Sequence, residues 1–397
     1  MTKSPNAEDS CCLMAASSCD CVSFSKPSPI GERLPSVSCC VQPAGTRHSE
    51  EIPGYALWHF VETFQETPAG RVPEIRTAWS RQDWTGAAAA RIGIGRLRYR
   101  IAPGLYAVGR PGPESAVIVT ANYKLTFDIL RRALSGRDLW ILVLDTHGIN
   151  VWCAAGKGTF STDEIIHRVK ETGLEGVVSH RRLIVPQLGA TGVAAHKVSN
   201  GCGFKVVWGP IRAEDLPAFL DAGMAASPAM RQVTFGLMER LVLVPVEINN
   251  LAKPFLWLIL SVFVLSGLGS GFFSFSAAAA RSGMALSAAV AGVAAGAVAA
   301  PLLLPWLPGR AFALKGAFTG VGAGLLVLLW QWRHAAALEL PALFLFTVAV
   351  SSFLAMNFTG STPFTSPTGV ETEMRKAIPL QAAALGVAAL AWIGAGF

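Results

Sequence analysis

Two hydropathy patterns divide the chain. Between about Gly70 and Asn250, short apolar runs alternate with stretches whose apolar positions recur at helical spacing. SAVIVTANY (115–123), DLWILVLDT (138–146), EGVVSH (175–180), RLIVPQ (182–187) and FKVVWG (204–209) are short and rich in β-branched or aromatic residues, which predicts strands. KLTFDILRRAL (124–134), STDEIIHRVKETG (161–173), TGVAAHKVSN (191–200) and RAEDLPAFLDAG (212–223) predict amphipathic helices between them. Ser161 followed by Glu164 makes the pattern of a capping box, so a helix starts there. Such alternation predicts an α/β fold with a mainly parallel sheet covered on both faces. Ligands of these sheets sit beyond the carboxyl ends of the strands, and GINVWCAAGKG (148–158) follows the 138–146 strand directly.

Beyond about Lys253 charges become sparse. Five apolar stretches, about 254–273, 284–307, 311–331, 337–357 and 378–397, each reach the roughly twenty residues a helix needs to cross a bilayer. The expected organisation is a Cys/Ser/Pro-rich, variable and disordered N-terminus (1–60), a cytoplasmic α/β domain (61–250) and an all-α transmembrane domain of five helices (251–397). Arg310, Lys315, Arg375 and Lys376 fall in loops on the side of the α/β domain, against Arg281 and Arg333 on the other. This mild positive-inside bias predicts a multi-pass protein of the cell (inner) membrane with Phe397 outside. Small residues in the second and third stretches favour close helix packing over an aqueous pore, with Glu339 the exception in an otherwise uncharged interior. The polar 357–377 segment reads equally as a plain loop or as a lid.

Apolar residues make up 52% of the chain and charged residues 15%, too hydrophobic for an ordinary soluble enzyme. The net charge of +7 is not gathered into a basic patch interleaved with aromatics, so no nucleic-acid partner is expected; attraction to an anionic leaflet accounts for it. Six of the eight cysteines, Cys11, Cys12, Cys19, Cys21, Cys39 and Cys40, lie in the first forty residues, where no apolar core marks a signal peptide. They belong to a disordered start or to soft-metal or thiol capture. Only Cys153 and Cys202 fall in the body of the chain, without framework spacing, which favours a reduced setting.

Around Cys153 several chemistries fail on spacing. Seven residues separate Gly148 from Gly156, and Lys157 is followed by Gly158, so the phosphate-loop pattern is broken twice. GATG (189–192) lacks a complete dinucleotide fingerprint, and His147, Cys153 and His167 match no short-range zinc pattern. A Cys–His nucleophile needs a base that spacing does not identify, with Asn150 or Gln187 as conceivable orienters. Cys153 is therefore an exposed thiolate favoured by Lys157 and flanked by Trp152, a soft ligand, or a small buried apolar residue.

NVWCAAGKGTF (150–160) resembles the signature of the membrane-bound corrinoid proteins of microbial mercury methylation, which are related to the corrinoid iron–sulfur protein of the acetyl-CoA pathway. The resemblance extends through 103–128, 179–198, 209–220 and 230–247 and covers roughly 70–397, leaving the N-terminal cysteines without a family role. It implies a Rossmann-like domain holding a cobalt corrinoid of the cobalamin type, with Cys153 as lower axial ligand to the metal. Asn150, Trp152, Ala154, Ala155, Gly156 and Lys157 would surround the cap, and Gln187, Leu188, Gly189, Ala190, Thr191 and Gly192 would form a binding loop, with TANYK (120–124) a further edge loop. The implied activity takes a methyl group from a methyltetrahydrofolate-linked donor, through methyl on cobalt, to Hg(II), with a small ferredoxin-like protein carrying two [4Fe-4S] clusters as electron donor. A thiolate below cobalt would make the methyl group more carbanion-like, as Hg(II) requires. The alternatives are a membrane-bound corrinoid methyltransferase with another acceptor and a non-catalytic corrinoid-binding module.

Overall fold

The first strands form a hairpin: β1 (Val61–Thr67) and β2 (Gly70–Ile75) pair antiparallel around Pro68 and Ala69. The computed structural model describes residues 58–358 and 367–397. The N-terminal cysteine pairs therefore lie outside the described residues, as do residues 359–366 of the polar link.

After the hairpin come α1 (Arg81–Ile92), β3 (Gly104–Val108), β4 (Val117–Ala121), α2 (Lys124–Ala133) and β5 (Leu139–Leu144). They are followed by α3 (Val151–Gly156), α4 (Thr162–Glu171), α5 (Leu174–Val177), β6 (Arg182–Pro186), α6 (Ala195–Cys202), β7 (Lys205–Gly209) and α7 (Leu216–Asp221). The seven strands form one mixed sheet in the order β1-β2-β3-β5-β4-β6-β7. β5, β4, β6 and β7 are mutually parallel, whereas β3 runs antiparallel to β5.

The middle of the sheet is buried on both faces, which is why its strands read as unbroken apolar runs. In β5, Trp140, Leu142 and Leu144 enter a core with Val151, Phe160, Ile165 and Val198, while Leu139, Ile141 and Val143 enter a second with Phe127, Leu130 and Phe219. At roughly 1.5–3 kcal/mol per buried side chain, this two-sided burial outweighs any local preference.

Two predicted elements differ. EGVVSH is not a strand: Leu174 and Val177 fill the core from a short helix that starts after Gly173 in the left-handed region at φ 58°, and Val178, extended at its C-cap, joins them. The two β-branched valines imitate a strand, but Val177 closes a helical turn with Leu174. The helix expected from Thr191 begins at Ala195, because residues 187–192 form tight turns, Gly192 N–H donating to Gly189 carbonyl at 3.0 Å.

A buried charge network joins α1 to α2. Lys124 Nζ donates to Asp83 Oδ1 at 2.7 Å and to Asp128 Oδ2 at 2.6 Å, and Arg131 lies 2.9 Å from each of the same two carboxylates. Burial pulls the Asp83 carboxyl upward, but hydrogen bonds from Lys124 and the Ser80 backbone and the charge of Lys124 outweigh it, holding Asp83 well below the usual carboxylate range.

From α7 the chain passes through α8 (Leu237–Leu241) and α9 (Val244–Asn250) into α10 (Ala252–Gly267), with a bend of 51°. The span expected over 254–273 is cut short: α10 has 16 residues, about 24 Å at 1.5 Å per residue, and a small hairpin of β8 (Leu268–Gly269) and β9 (Phe272–Phe273) follows. Glycines at 267, 269 and 271 let the chain turn where hydropathy alone reads on. α11 (Phe275–Val293) begins earlier than expected and runs through a π-helical stretch, Ala294–Ala299, into α12 (Ala300–Leu303). α13 (Phe312–Gln331), α14 (Glu339–Asn357) and α15 (Pro367–Gly394) complete the chain, α15 absorbing residues 367–377 of the polar link.

Among the described residues, four helices are long and apolar enough to cross a membrane, or five if the bent pair counts as one span. The chain is a multi-pass membrane protein with a large soluble α/β domain. α14 is the central helix: Ser351 Oγ donates to Gly316 carbonyl at 2.7 Å, Ser352 Oγ to Ala313 carbonyl at 2.8 Å, and Thr347 is fully buried. Close approach is possible because a Cβ at Gly316 or Gly296 would fall within 2.4 Å of an atom of α14. At the end remote from the α/β domain, Arg281 donates to Glu339 at 2.6 Å, to Ser266 carbonyl at 3.1 Å and to Trp392 carbonyl. At the near end Arg240 of α8 donates to the carbonyls of Pro301 and Leu302.

Candidate functional site

At β4 the strand order turns back: the chain leaves β4 for β5 on one side, then crosses to β6 on the other. Diverging crossovers leave a crevice beyond the carboxyl ends of the strands. Three segments meet there, the turn after β4, the loop between β5 and α3, and the loop between β6 and α6.

Asn122 ties the first to the second. Its Nδ2 donates to Asp145 Oδ1 at 2.9 Å, and its Oδ1 accepts from the N–H groups of Thr146 at 3.1 Å and Gly148 at 2.9 Å. The Thr146 hydroxyl lies 2.9 Å from the same Oδ1 and 2.7 Å from the Ile149 carbonyl. From the opposite side Asp145 N–H donates to Glu164 of α4 at 2.8 Å. These bonds hold two consecutive left-handed residues, His147 at φ 56° and Gly148 at φ 75°, of which the histidine costs roughly 1–2 kcal/mol. Glu164 thus departs from a full capping box: Ser161 Oγ accepts its N–H at 3.2 Å, but its carboxylate serves Asp145 and Arg168 instead.

This pinned loop delivers α3. Asn150 is its N-cap, Oδ1 accepting the Cys153 N–H at 2.9 Å. Cys153 is a free, exposed thiol in the first turn, with Trp152 beside it 38% exposed. Ala154 and Ala155 turn inward to the core with Phe160. Lys157 ends the helix, its N–H donating to Cys153 carbonyl at 3.1 Å and its side chain exposed. Nothing lies within 4 Å of where a Cβ at Gly156 would stand.

The 187–192 loop packs onto α3. A Cβ at Gly189 would lie 2.5 Å from the Phe160 ring, and one at Gly192 2.2 Å from Phe160 carbonyl and 3.1 Å from Ala155 Cα. Thr162 completes the seam, its N–H donating to Gly192 carbonyl at 3.2 Å and its hydroxyl accepting the Ala194 N–H at 2.8 Å. Leu188 packs against the core, Ala190 and Thr191 are exposed, and Gln187 Oε1 accepts from Arg231 at 2.5 Å.

The structure therefore brings the two sequence-selected segments, 150–157 and 187–192, into direct contact. TANYK divides: Asn122 holds the loop, while Lys124 belongs to the buried network. Cys202 is different from Cys153, half-buried with Sγ donating to Val198 carbonyl at 3.2 Å and its thiol pushed up by burial. Among the described residues no three His, Cys, Asp or Glu side chains converge on a metal-binding point. Sequence reasoning did not single out Asp145, Thr146, Phe160, Thr162 or Arg231. An asparagine closing an apolar strand was a signal for the Asn122 hub; nothing local marked Arg231, which is 44 residues from Gln187.

The fold and edge site define an α/β ligand-binding domain on a membrane bundle, and comparison with known proteins narrows this. Residues 96–220 match the family model described as CO dehydrogenase/acetyl-CoA synthase delta subunit. The acetyl-CoA decarbonylase/synthase complex subunit gamma of Methanopyrus kandleri is 33% identical over 123 residues, 30% of this chain and 26% of that protein. Its counterpart in Archaeoglobus fulgidus is 31% identical over 128 residues, 32% of this chain and 27% of the relative. The corrinoid/iron-sulfur protein large subunit of Moorella thermoacetica is 30% identical over 129 residues, 32% and 28% of the two chains. The chain thus spans about a quarter of the length of the curated relatives it matches.

Proposed function

We propose that the α/β domain is a membrane-anchored corrinoid-binding domain that serves methyl transfer. One observation carries this reading: the 96–220 segment, similar to a corrinoid/iron-sulfur protein subunit, holds the Cys153 helix and the 187–192 loop packed together at the strand-order reversal.

The residues present suit such a group. Cys153 offers a soft sulfur donor on the surface, suited to a late first-row metal. Asn150 and the Asn122 hub fix the backbone that carries it. Gly156 leaves the adjoining surface low, and Lys157, Ala190 and Thr191 present side chains beside it. Trp152 offers an exposed apolar ring next to Cys153, while Ala154, Ala155, Gly189 and Gly192 act by letting α3 and the loop approach. A bound corrinoid supplies the methyl-transfer chemistry of its cobalt; the chain supplies ligand, orientation and seating.

The finer reading rests on the NVWCAAGK motif: Cys153 would hold the corrinoid's cobalt through its sulfur, the methyl donor would be methyltetrahydrofolate-linked, the acceptor would be Hg(II), and a ferredoxin-like protein with two [4Fe-4S] clusters would be the electron donor. A corrinoid methyltransferase with another acceptor, or a module that binds corrinoid without turnover, rests on less and is the better supported. The test uses the full chain loaded with Co(II) corrinoid, followed by absorption and paramagnetic resonance, wild type against Cys153→Ala. Retention of corrinoid by both with a changed cobalt signal in the variant is expected. An unchanged signal removes the sulfur ligand, and failure to retain corrinoid removes the wider reading. Methylmercury formation, set against transfer to thiols, then decides the acceptor.

A further inference from the structure

We propose that Arg91–Arg100 is a lipid-binding collar that rests in the anionic headgroup layer of the bilayer this chain spans and seats the rim of the crevice against it. The segment reads RIGIGRLRYR, basic and apolar residues interleaved. Ile94 is 61% and Leu97 83% exposed, an arrangement unfavourable in water but suited to the boundary between headgroups and acyl chains. Among the described residues, none of Arg91, Arg96, Arg98 and Arg100 forms an ion pair; Arg96 lies over the Tyr123 ring and feels the charge of Glu247. Arginine beside apolar tips matches an anionic lipid surface, where each cation is attracted and each apolar tip is buried.

Position in the fold supplies the second argument. A Cβ at Gly93 would lie 3.1 Å from Asn249 Nδ2 and 3.3 Å from Val246 of α9. Asn249 precedes the first residue of α10 by three positions, about 5 Å of helix, so the segment stands at the depth where the chain enters the bilayer. Met238, Leu241 and Ile248 of α8 and α9 are also exposed and extend the same apolar rim. The collar comes close to the site: a Cβ at Gly148 would lie 3.3 Å from Arg100 Cβ and 3.4 Å from Leu97 carbonyl, while Gln187 is bonded to Arg231 in the segment leading to α8. One of the two loops that frame Cys153 is therefore braced by the collar itself, the other by the segment that leads into α8.

The proposal is independent of any bound corrinoid, and so is its test. A fluorescent amino acid is introduced at Leu97 in the full chain, reconstituted in nanodiscs of phosphatidylcholine alone or with phosphatidylglycerol. Quenching by acyl-chain-brominated lipid is compared with quenching by acrylamide from water. Lipid-side quenching should dominate with phosphatidylglycerol, and Arg91→Gln and Arg98→Gln should each shift the balance about fivefold toward acrylamide. Dominant acrylamide quenching in both lipid mixtures overturns the proposal. So does protection that appears only when a soluble protein fraction is added.

Discussion

Asn122 commits both polar atoms of its side chain to the loop that carries Cys153, while being itself 2% exposed. Replacing it with alanine strands the Thr146 and Gly148 N–H groups in a place water does not reach. At 1–3 kcal/mol for each unsatisfied buried donor, Asn122→Ala should destabilise the α/β domain by about 2–4 kcal/mol and speed amide exchange across 146–149. Asn122→Asp keeps the acceptor but faces Asp145 with a like charge, so it should not restore stability. Melting and hydrogen exchange of the two variants check this; wild-type exchange in Asn122→Ala would contradict it. The contrast with Cys153 is informative. The motif residue is exposed and makes its mark through chemistry, whereas the residue that fixes its position is buried two elements away.

α1 and α2 are joined by charge as much as by apolar contact. Lys124 sits between Asp83 and Asp128 at 1% exposure, with the rings of Trp58, Phe60 and Tyr99 within 5.5 Å of its Nζ. Lys124→Met leaves both carboxylates sharing Arg131, and should cost about 3–5 kcal/mol in a denaturant titration. The pH dependence has a definite sign. Because Asp83 is depressed in the fold, its contribution is complete above the unfolded carboxylate value near pH 4 and is lost as pH falls below it. Asp83→Asn should therefore flatten the acid side of the stability profile. At this scale the sequence was readable where one interaction dominates: β4, β5 and β6 stand where apolar runs put them because both their faces are buried, and β7, α2 and α4 because one apolar face is. It was unreadable where a distant residue decides. Lys124 reads only as part of an edge loop and a helix start, since Asp83 lies 41 positions away, and EGVVSH reads as a strand, since only the core shows Leu174 and Val177 entering it from one helical turn. Of the site, the Cys153 and Gly189–Gly192 segments were visible as motifs, but their contact depends on Phe160 and Thr162, which carry no local mark.

In the whole molecule, opposite ends of the membrane bundle are closed differently. The near end is tied to the α/β domain by Arg240 on the Pro301 and Leu302 carbonyls and by Phe235 and Leu243 packed on Leu304, Phe312 and Phe358. The far end is clasped by Arg281, which joins the termini of α10, α11, α14 and α15. Arg281→Leu strands Glu339 at 4% exposure and should cost about 3–5 kcal/mol, whereas Arg281→Leu with Glu339→Leu should recover most of it. Thermal unfolding of the full chain in detergent reads both, and a double variant no more stable than the single one would count against the clasp. The sequence separations of its contacts bear on biosynthesis. Arg281 is synthesised 58 residues before Glu339 and 111 before Trp392, so its guanidinium enters the translocation machinery with only the Ser266 carbonyl of the preceding helix to meet it. The clasp closes only once α15 has been made. Any chain released before Trp392 presents an unsealed arginine to the surveillance proteases of the membrane.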